Sequence, residues 1–163
     1  MKLTYLGVDE SSVIYVGAEA VLVKTTWYGL EAVEKIRIAK PYRDPVLDHQ
    51  IRQYRTVHEA KMLLQQRKNG IPCPVVYEVD LQKASITMEF VKGSLLKNVL
   101  GELKDNEASK VMELVGYYCG LLHEKGFVHG DLTTSNMILT PSMEIVFLDF
   151  GLMEYSPTVE AFG

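Results

Sequence analysis

Three side chains in the C-terminal part of the chain have the types and spacing for catalysis. Asp131 lies in His129-Gly130-Asp131-Leu132-Thr133-Thr134-Ser135-Asn136, Asn136 follows it by five residues, and Asp149 opens Asp149-Phe150-Gly151 after a short apolar run. A carboxylate at the end of a short loop can accept or orient the proton of an attacking hydroxyl or water. One amide oxygen and one carboxylate suit Mg²⁺, a hard cation that keeps several waters and takes few protein ligands. Together these groups are the minimal set for placing Mg·ATP, and the chemistry they imply is phosphoryl transfer. Gly151 lets the backbone turn sharply after the metal ligand, and Phe150 is expected to pack in the interior between two lobes.

Such chemistry also needs a fixed positive charge for the α- and β-phosphates. Lys24, in Val21-Leu22-Val23-Lys24, follows directly on the small-residue turn and reads as a strand-edge charge. Lys35, in Ala32-Val33-Glu34-Lys35, falls on the third expected strand, where a phosphate-binding lysine belongs. Glu59, in the middle of a helical stretch, is placed to hold that lysine; otherwise it is a surface partner of Arg55 one turn away. Val16-Gly17-Ala18-Glu19-Ala20 is a turn whose backbone N–H groups could meet phosphate, although it holds a single glycine. Met88, Glu89 and Val91, between sheet and linker, would offer backbone groups to an adenine edge; alternatively they are a strand end.

The elements that must position these groups are legible as patterns. Val13 to Val16, Val21 to Thr26 and Ala32 to Ile38 read as a three-stranded antiparallel meander. A loop with Pro41 and Pro45 precedes a helix capped by Asp48 and running to about Lys68, where Asn69-Gly70 ends it. Val75 to Val79 and Ala84 to Phe90 complete a five-stranded sheet, and Lys92-Gly93-Ser94 reads as a linker. Beyond it come a short helix at Leu95 to Leu100 and a longer one from about Asn106 to Lys125, with Val111, Leu114, Val115, Tyr118, Leu121 and Leu122 at helical spacing and Gly126 as C-cap. Phe127-Val128, Met137 to Leu139 and Glu144 to Leu148 are the remaining strands. The expected architecture is α+β and bilobal, with residues 1–91 as a sheet-rich lobe and 92–163 as a minimal, mostly helical one.

Composition narrows the class. With 163 residues, 47% of them apolar, the chain can bury one sizeable core or two small ones. No apolar run approaches a membrane span, and the reading is an unanchored intracellular protein: cytoplasmic, and also nuclear if the source is a eukaryote. Cys73 and Cys119 lack zinc-ligand spacing and read as free thiols. The net charge of −4 argues against autonomous tight nucleic-acid binding, yet residues 33–68 hold nine Lys or Arg against four Asp or Glu. That basic segment is either a solvated helix face or an assisting contact within a complex.

Taken together, these motifs resemble the protein-kinase-like superfamily, and more closely the small atypical PRPK-type kinases of the KEOPS (EKC) complex. The closer likeness rests on Gly17-Ala18-Glu19-Ala20, on Lys40-Pro41-Tyr42-Arg43-Asp44-Pro45-Val46-Leu47-Asp48, on Arg52, Arg55 and Thr56 ahead of Glu59-Ala60, on Gly70-Ile71-Pro72, and on the loop from His129 to Asn136. The resemblance implies a two-lobed kinase fold, Mg²⁺ and ATP as cofactors, and weak serine/threonine kinase or partner-stimulated ATPase activity. It implies Lys35, Glu59, Asp131, Asn136 and Asp149 as functional residues. It also implies a universal metalloprotein ATPase and other KEOPS subunits as partners, tRNA met indirectly through the complex, a role in threonylcarbamoyladenosine formation at tRNA position 37, and a link to telomere maintenance.

Departures from ordinary protein kinases qualify that picture. Gly130 stands where an arginine normally precedes the catalytic aspartate, so control by a phosphorylated activation loop is not expected. Thr133 stands where a lysine usually neutralises the γ-phosphate, so a stabilising charge must come from elsewhere. Only 14 residues follow Asp149, with no Ala-Pro-Glu segment, which reads as a shortened form or one lacking the family's tail. Two other readings stay open: a small-molecule phosphotransferase, for which no substrate-binding helical lobe is encoded, and a non-catalytic nucleotide-binding scaffold.

Overall fold

A computed structural model describes residues 6–156. The contacts divide the chain into two compact units, one of residues 1–61 and 75–90 and the other of residues 62–74 and 91–163.

The first unit is built on β1 (Val13–Val16), β2 (Ala20–Trp27), β3 (Leu30–Arg37), β4 (Val76–Asp80) and β5 (Ser85–Glu89), an antiparallel sheet of order β1-β2-β3-β5-β4. Register decides which residues share a face, because side chains alternate along a strand. Val21 pairs with Ile36, and these two join Val23 and Ile38 in one apolar cluster beneath Leu6, Val8 and Val13. Ile36 alone, 1% exposed, contributes about 1.5–3 kcal/mol of burial. On the alternate positions Val33, Ile86 and Met88 pack with Ala60 of α1 (Pro45–Lys68). Lys35 and Arg37 continue the Val33 row, so both are carried on the face that meets this helix.

The cap of α1 differs from the expectation. Asp44, not Asp48, receives the first amides: its Oδ1 accepts from Val46 N and Leu47 N at 3.1 Å each. Pro45 occupies the first helical position, where its missing N–H costs nothing, and Asp immediately before Pro is therefore the stronger start signal. Asp48 is instead a buried side chain one turn in, 2% exposed.

The second unit contains β6 (Ser94–Leu95), α2 (Leu96–Val99), α3 (Asp105–Glu124), β7 (Phe127–Val128), β8 (Met137–Leu139), β9 (Ile145–Phe147) and β10 (Glu154–Tyr155). Ser94, expected to end a linker, begins β6, which pairs with β8 in a three-stranded sheet of order β6-β8-β9. β7 pairs with β10 instead. Val111, Val115 and Leu122 form the buried stripe of α3, and Gly126 ends the helix at φ 85°, the left-handed stop its position implied. Residues 62–74, which the sequence reading grouped with the first lobe, cluster here. Phe147 N donates to Pro72 O at 2.9 Å, and Arg67 Nη1 donates to Cys73 O at 2.6 Å, so this turn is bonded into the second unit. Cys73 and Cys119 are free thiols, and no helix among the described residues is long and apolar enough to cross a membrane.

Candidate active site

In the first unit the structure brings Lys35 and Glu59 together. Lys35 Nζ donates to Glu59 Oε1 at 2.7 Å, and Arg37 Nη2 donates to Glu59 Oε2 at the same distance. Glu59 is 1% exposed, which removes the alternative of a surface partner; Arg55 points elsewhere and meets Glu19 at 3.4 Å. A buried carboxylate facing two cations has both oxygens occupied, and the ammonium it holds loses rotamer freedom before any ligand arrives. Arg37 was missed from sequence, although the signal was present: it sits two residues beyond Lys35, on the same strand face. Lys24 has a different setting, 3.5 Å from Glu31 and 4.4 Å above the Phe90 ring, with its side chain 45% exposed.

The turn from Val16 to Ala20 joins β1 to β2 and is solvent-facing up to Ala20. Gly17 N donates to Ala20 O at 2.9 Å, so that amide closes the turn and is not left for phosphate. Lys40 Nζ donates to Ala18 O, and the Glu19 carboxylate lies 3.6 Å from Lys40 and 3.4 Å from Arg55. Met88 is buried at the end of β5. Glu89 N donates to Val75 O at 2.8 Å and Phe90 N to Glu31 O at 3.3 Å, so both amides belong to the sheet. Val91, half-buried, follows in the second unit.

In the second unit the structure joins Asp131 and Asn136. Asn136 Nδ2 donates to Asp131 O at 3.0 Å and to Asp131 Oδ2 at 3.1 Å. With its nitrogen so committed, Asn136 presents Oδ1 as its remaining acceptor. Asn136 O in turn accepts Leu148 N at 2.8 Å, which fixes the residue before Asp149 to the same loop. Asp149 is exposed, adopts φ 42°, and accepts Gly151 N on Oδ1 at 3.1 Å. Asp tolerates the left-handed region better than most residues because its short side chain bonds the local backbone.

His129 and Gly130 explain how the loop keeps its shape. His129 is 5% exposed, accepts Asp131 N on Nδ1 at 3.2 Å, and meets Phe150 edge-on with ring centroids 5.4 Å apart. Nε2 lies by the Leu148 carbonyl without a well-formed hydrogen bond. Burial pushes the imidazole below its ordinary pKa, against the opposing pull of Asp149, the Leu148 carbonyl and Asp131. Phe150, fully buried, is a structural residue within this unit. Gly130 has φ 83°, and a Cβ there would stand 2.6 Å from Leu152 O. A side chain at this position would be strained at its positive φ and would force the Leu152 backbone to shift, which disfavours an arginine before Asp131.

The donor set fits Mg·ATP. Among the described residues no three His, Cys, Asp or Glu side chains cluster as a cage, and Mg²⁺ does not need one: one or two protein oxygens, phosphate oxygens and water complete its shell. Asn136 Oδ1 and the Asp149 carboxylate are oxygens of the kind Mg²⁺ takes, and Lys35 is a cation of the kind phosphate takes.

Comparison with known proteins places the chain. The RIO domain family model matches residues 34–157, a span that includes Lys35, Glu59, Asp131, Asn136 and Asp149. The chain is 45% identical over 136 residues to the KEOPS complex subunit Bud32 of Pyrococcus abyssi, covering 83% of this chain and 61% of that protein. It is 40% identical over 166 residues to the EKC/KEOPS complex subunit bud32 of Dictyostelium discoideum, covering 98% and 64%. A probable bifunctional tRNA threonylcarbamoyladenosine biosynthesis protein of Methanobrevibacter smithii is 43% identical over 144 residues, covering 88% of this chain and 25% of that one. The chain therefore spans less than two thirds of the length of each of these relatives. The family resemblance carried by the motifs is borne out, and the α+β, kinase-like organisation with it: the chain belongs to the RIO domain family.

Proposed function

We propose that the chain binds Mg·ATP and transfers or hydrolyses its γ-phosphoryl group as the kinase-like subunit of a KEOPS complex, in support of threonylcarbamoyladenosine formation on tRNA. The observation that carries the ATP reading is the Lys35 ammonium, held at 2.7 Å by a buried Glu59 inside a matched RIO domain. In this reading Lys35 meets the α- and β-phosphates, while Arg37 shares Glu59 and holds its second oxygen in place. Asn136 Oδ1 and Asp149 hold Mg²⁺, which when bound neutralises charge developing on the phosphate oxygens. Asp131 has Oδ2 engaged by Asn136 Nδ2, and Oδ1 is the atom that accepts the proton of the attacking hydroxyl or water. Glu89, whose N–H is spent on Val75 O, offers its carbonyl and Val91 its backbone groups to the adenine edge, beside Met88. The turn from Gly17 to Ala20 covers the phosphates with its remaining amides.

Thr133 contributes no charge toward the γ-phosphate, so slow intrinsic turnover and stimulation by a partner are expected. The names of the relatives support a KEOPS setting, in which other subunits, among them a metalloprotein ATPase, are the partners and tRNA is met through the complex. The test follows γ-labelled ATP with Mg²⁺ and the purified chain, alone and with that partner. Label released as phosphate, increased by the partner and lost in Asp131→Asn, supports an ATPase; label on protein supports a kinase. Turnover that is equal in Asp131→Asn refutes the catalytic assignment, and no turnover in either setting favours a nucleotide-binding scaffold.

A further inference from the structure

The first unit contains a cavity of about 300 Å³ that the nucleotide chemistry does not use, lined by Ala39, Lys40, Pro41, Arg43, Pro45, Asp48 and Arg52. Three cations and one carboxylate share this lining, and Glu19 lies 3.6 Å from Lys40, which leaves a surplus of one positive charge. Their side chains are only 15%, 17% and 16% exposed for Lys40, Arg43 and Arg52, so the charges are crowded and largely withdrawn from water. Asp48 orients the two guanidinium groups: Arg52 Nε donates to Oδ2 at 2.7 Å, and Arg43 Nη1 to Oδ1 at 3.4 Å. Lys40 N also donates to Oδ1, at 3.1 Å. Burial pushes the Asp48 carboxyl up, but the bonds from Arg52 and Lys40, the Arg52 charge and the Arg43 bond outweigh it and hold the group below its ordinary value. Asp48 is therefore ionised at neutral pH and balances one of the three cations.

We propose that this cavity is an oxyanion site that takes a phosphoryl group, separate from the residues assigned to Mg·ATP. Both arginines spend a single N–H on Asp48, and their other guanidinium N–H groups have no hydrogen-bond partner among the described residues. A guanidinium held by a carboxylate on one edge presents its other edge in the fixed fork that matches two phosphate oxygens. Pro41 and Pro45 restrict the loop that carries Arg43, so little ordering remains to be done on binding. The helix amides are not the source of the site, because Asp44 already caps them. The surplus charge and the unspent guanidinium N–H groups of Arg43 and Arg52 suit the paired oxygens of a phosphoryl group. The volume, roughly ten times the ~30 Å³ share of a liquid water, admits a phosphoryl group with part of the molecule that carries it.

The test titrates the chain with inorganic phosphate and with the dinucleotide uridylyl-uridine at constant ionic strength, reading affinity by calorimetry and location by backbone amide and arginine Nε shifts. Shifts confined to residues 39–52, and affinity reduced about tenfold in Arg43→Gln and in Arg52→Lys but unchanged in the exposed Lys61→Gln, are the expected results. Arg43→Gln leaves the Asp48–Arg52 pair intact and Arg52→Lys keeps its charge, so folding is retained in at least one variant, as a thermal melt would show. Binding of phosphate but not the dinucleotide identifies a phosphomonoester ligand, and binding of the dinucleotide a nucleic-acid backbone; either supports the site. Binding of neither probe, wild-type affinity in both arginine variants, or an equal loss in Lys61→Gln overturns it.

Discussion

The two units hold their functional groups in opposite ways. In the first, Glu59 is buried and both of its oxygens are taken by cations at 2.7 Å, so Lys35 is part of the packed structure. In the second, Asp131 and Asp149 are exposed and are positioned by short loop hydrogen bonds from Asn136 and Gly151. A buried ion pair that loses one partner leaves an uncompensated charge, whereas an exposed carboxylate can be changed with little effect on folding. Function and stability should therefore be inseparable at Glu59 and separable at Asp149.

Asp149→Asn is the sharpest way to break that comparison. Asn keeps the left-handed backbone but removes the charge of the proposed metal ligand, so Mg-dependent ATP turnover should fall at least a hundredfold, on the order of losing one electrostatic stabiliser, with the melting temperature unchanged. A large drop in melting temperature would mean that Asp149 is a structural residue. Glu59→Ala should instead cost about 3–5 kcal/mol of folding stability, measured by urea denaturation, because Lys35 and Arg37 lose their shared partner. Lys35→Ala should weaken ATP affinity far more than Lys24→Ala; the reverse ranking would place the phosphate lysine on β2.

Gly130→Ala has a smaller expected effect, about 1–3 kcal/mol of strain, since the new Cβ meets the Leu152 carbonyl at a positive φ. Proper folding with wild-type turnover would show that the loop can shift. The pH dependence sharpens the comparison further. His129 has a folded pKa below its unfolded value near 6.5, so its contribution to stability is fully present above pH 6.5 and is lost as pH falls through the lower, folded value. His129→Leu should flatten the stability profile on the acid side of 6.5, seen in melts across pH 5–8; an unchanged profile would assign the acid loss to other groups.

Much of this was legible because the decisive signals are local. Alternation and turns locate β1 to β5, and helical spacing from Val111 to Leu122 locates α3. Strand order alone favours Lys35 over Lys24, and the structure pairs Lys35 with Glu59 at 2.7 Å. The rest depends on partners distant in sequence. β6 and β10 have two residues each, too few to show a period, and exist only through β8 and β7. The burial of Asp48 was hidden by its helix-cap residue type, while Asp44-Pro45 carried the true start. Gly130 could be read as an absent arginine but not as a contact with Leu152, since that approach is set by the fold of the Asp149 loop.

The proposal that the chain binds Mg·ATP is tested most directly by ATP affinity with and without Mg²⁺ in the wild type, Lys35→Ala, Asp149→Asn and the double variant. The account predicts weaker binding in each single variant, with the Mg²⁺ enhancement retained in Lys35→Ala and abolished in Asp149→Asn and in the double variant. Wild-type affinity in both single variants, or an undiminished Mg²⁺ enhancement in Asp149→Asn, would contradict it.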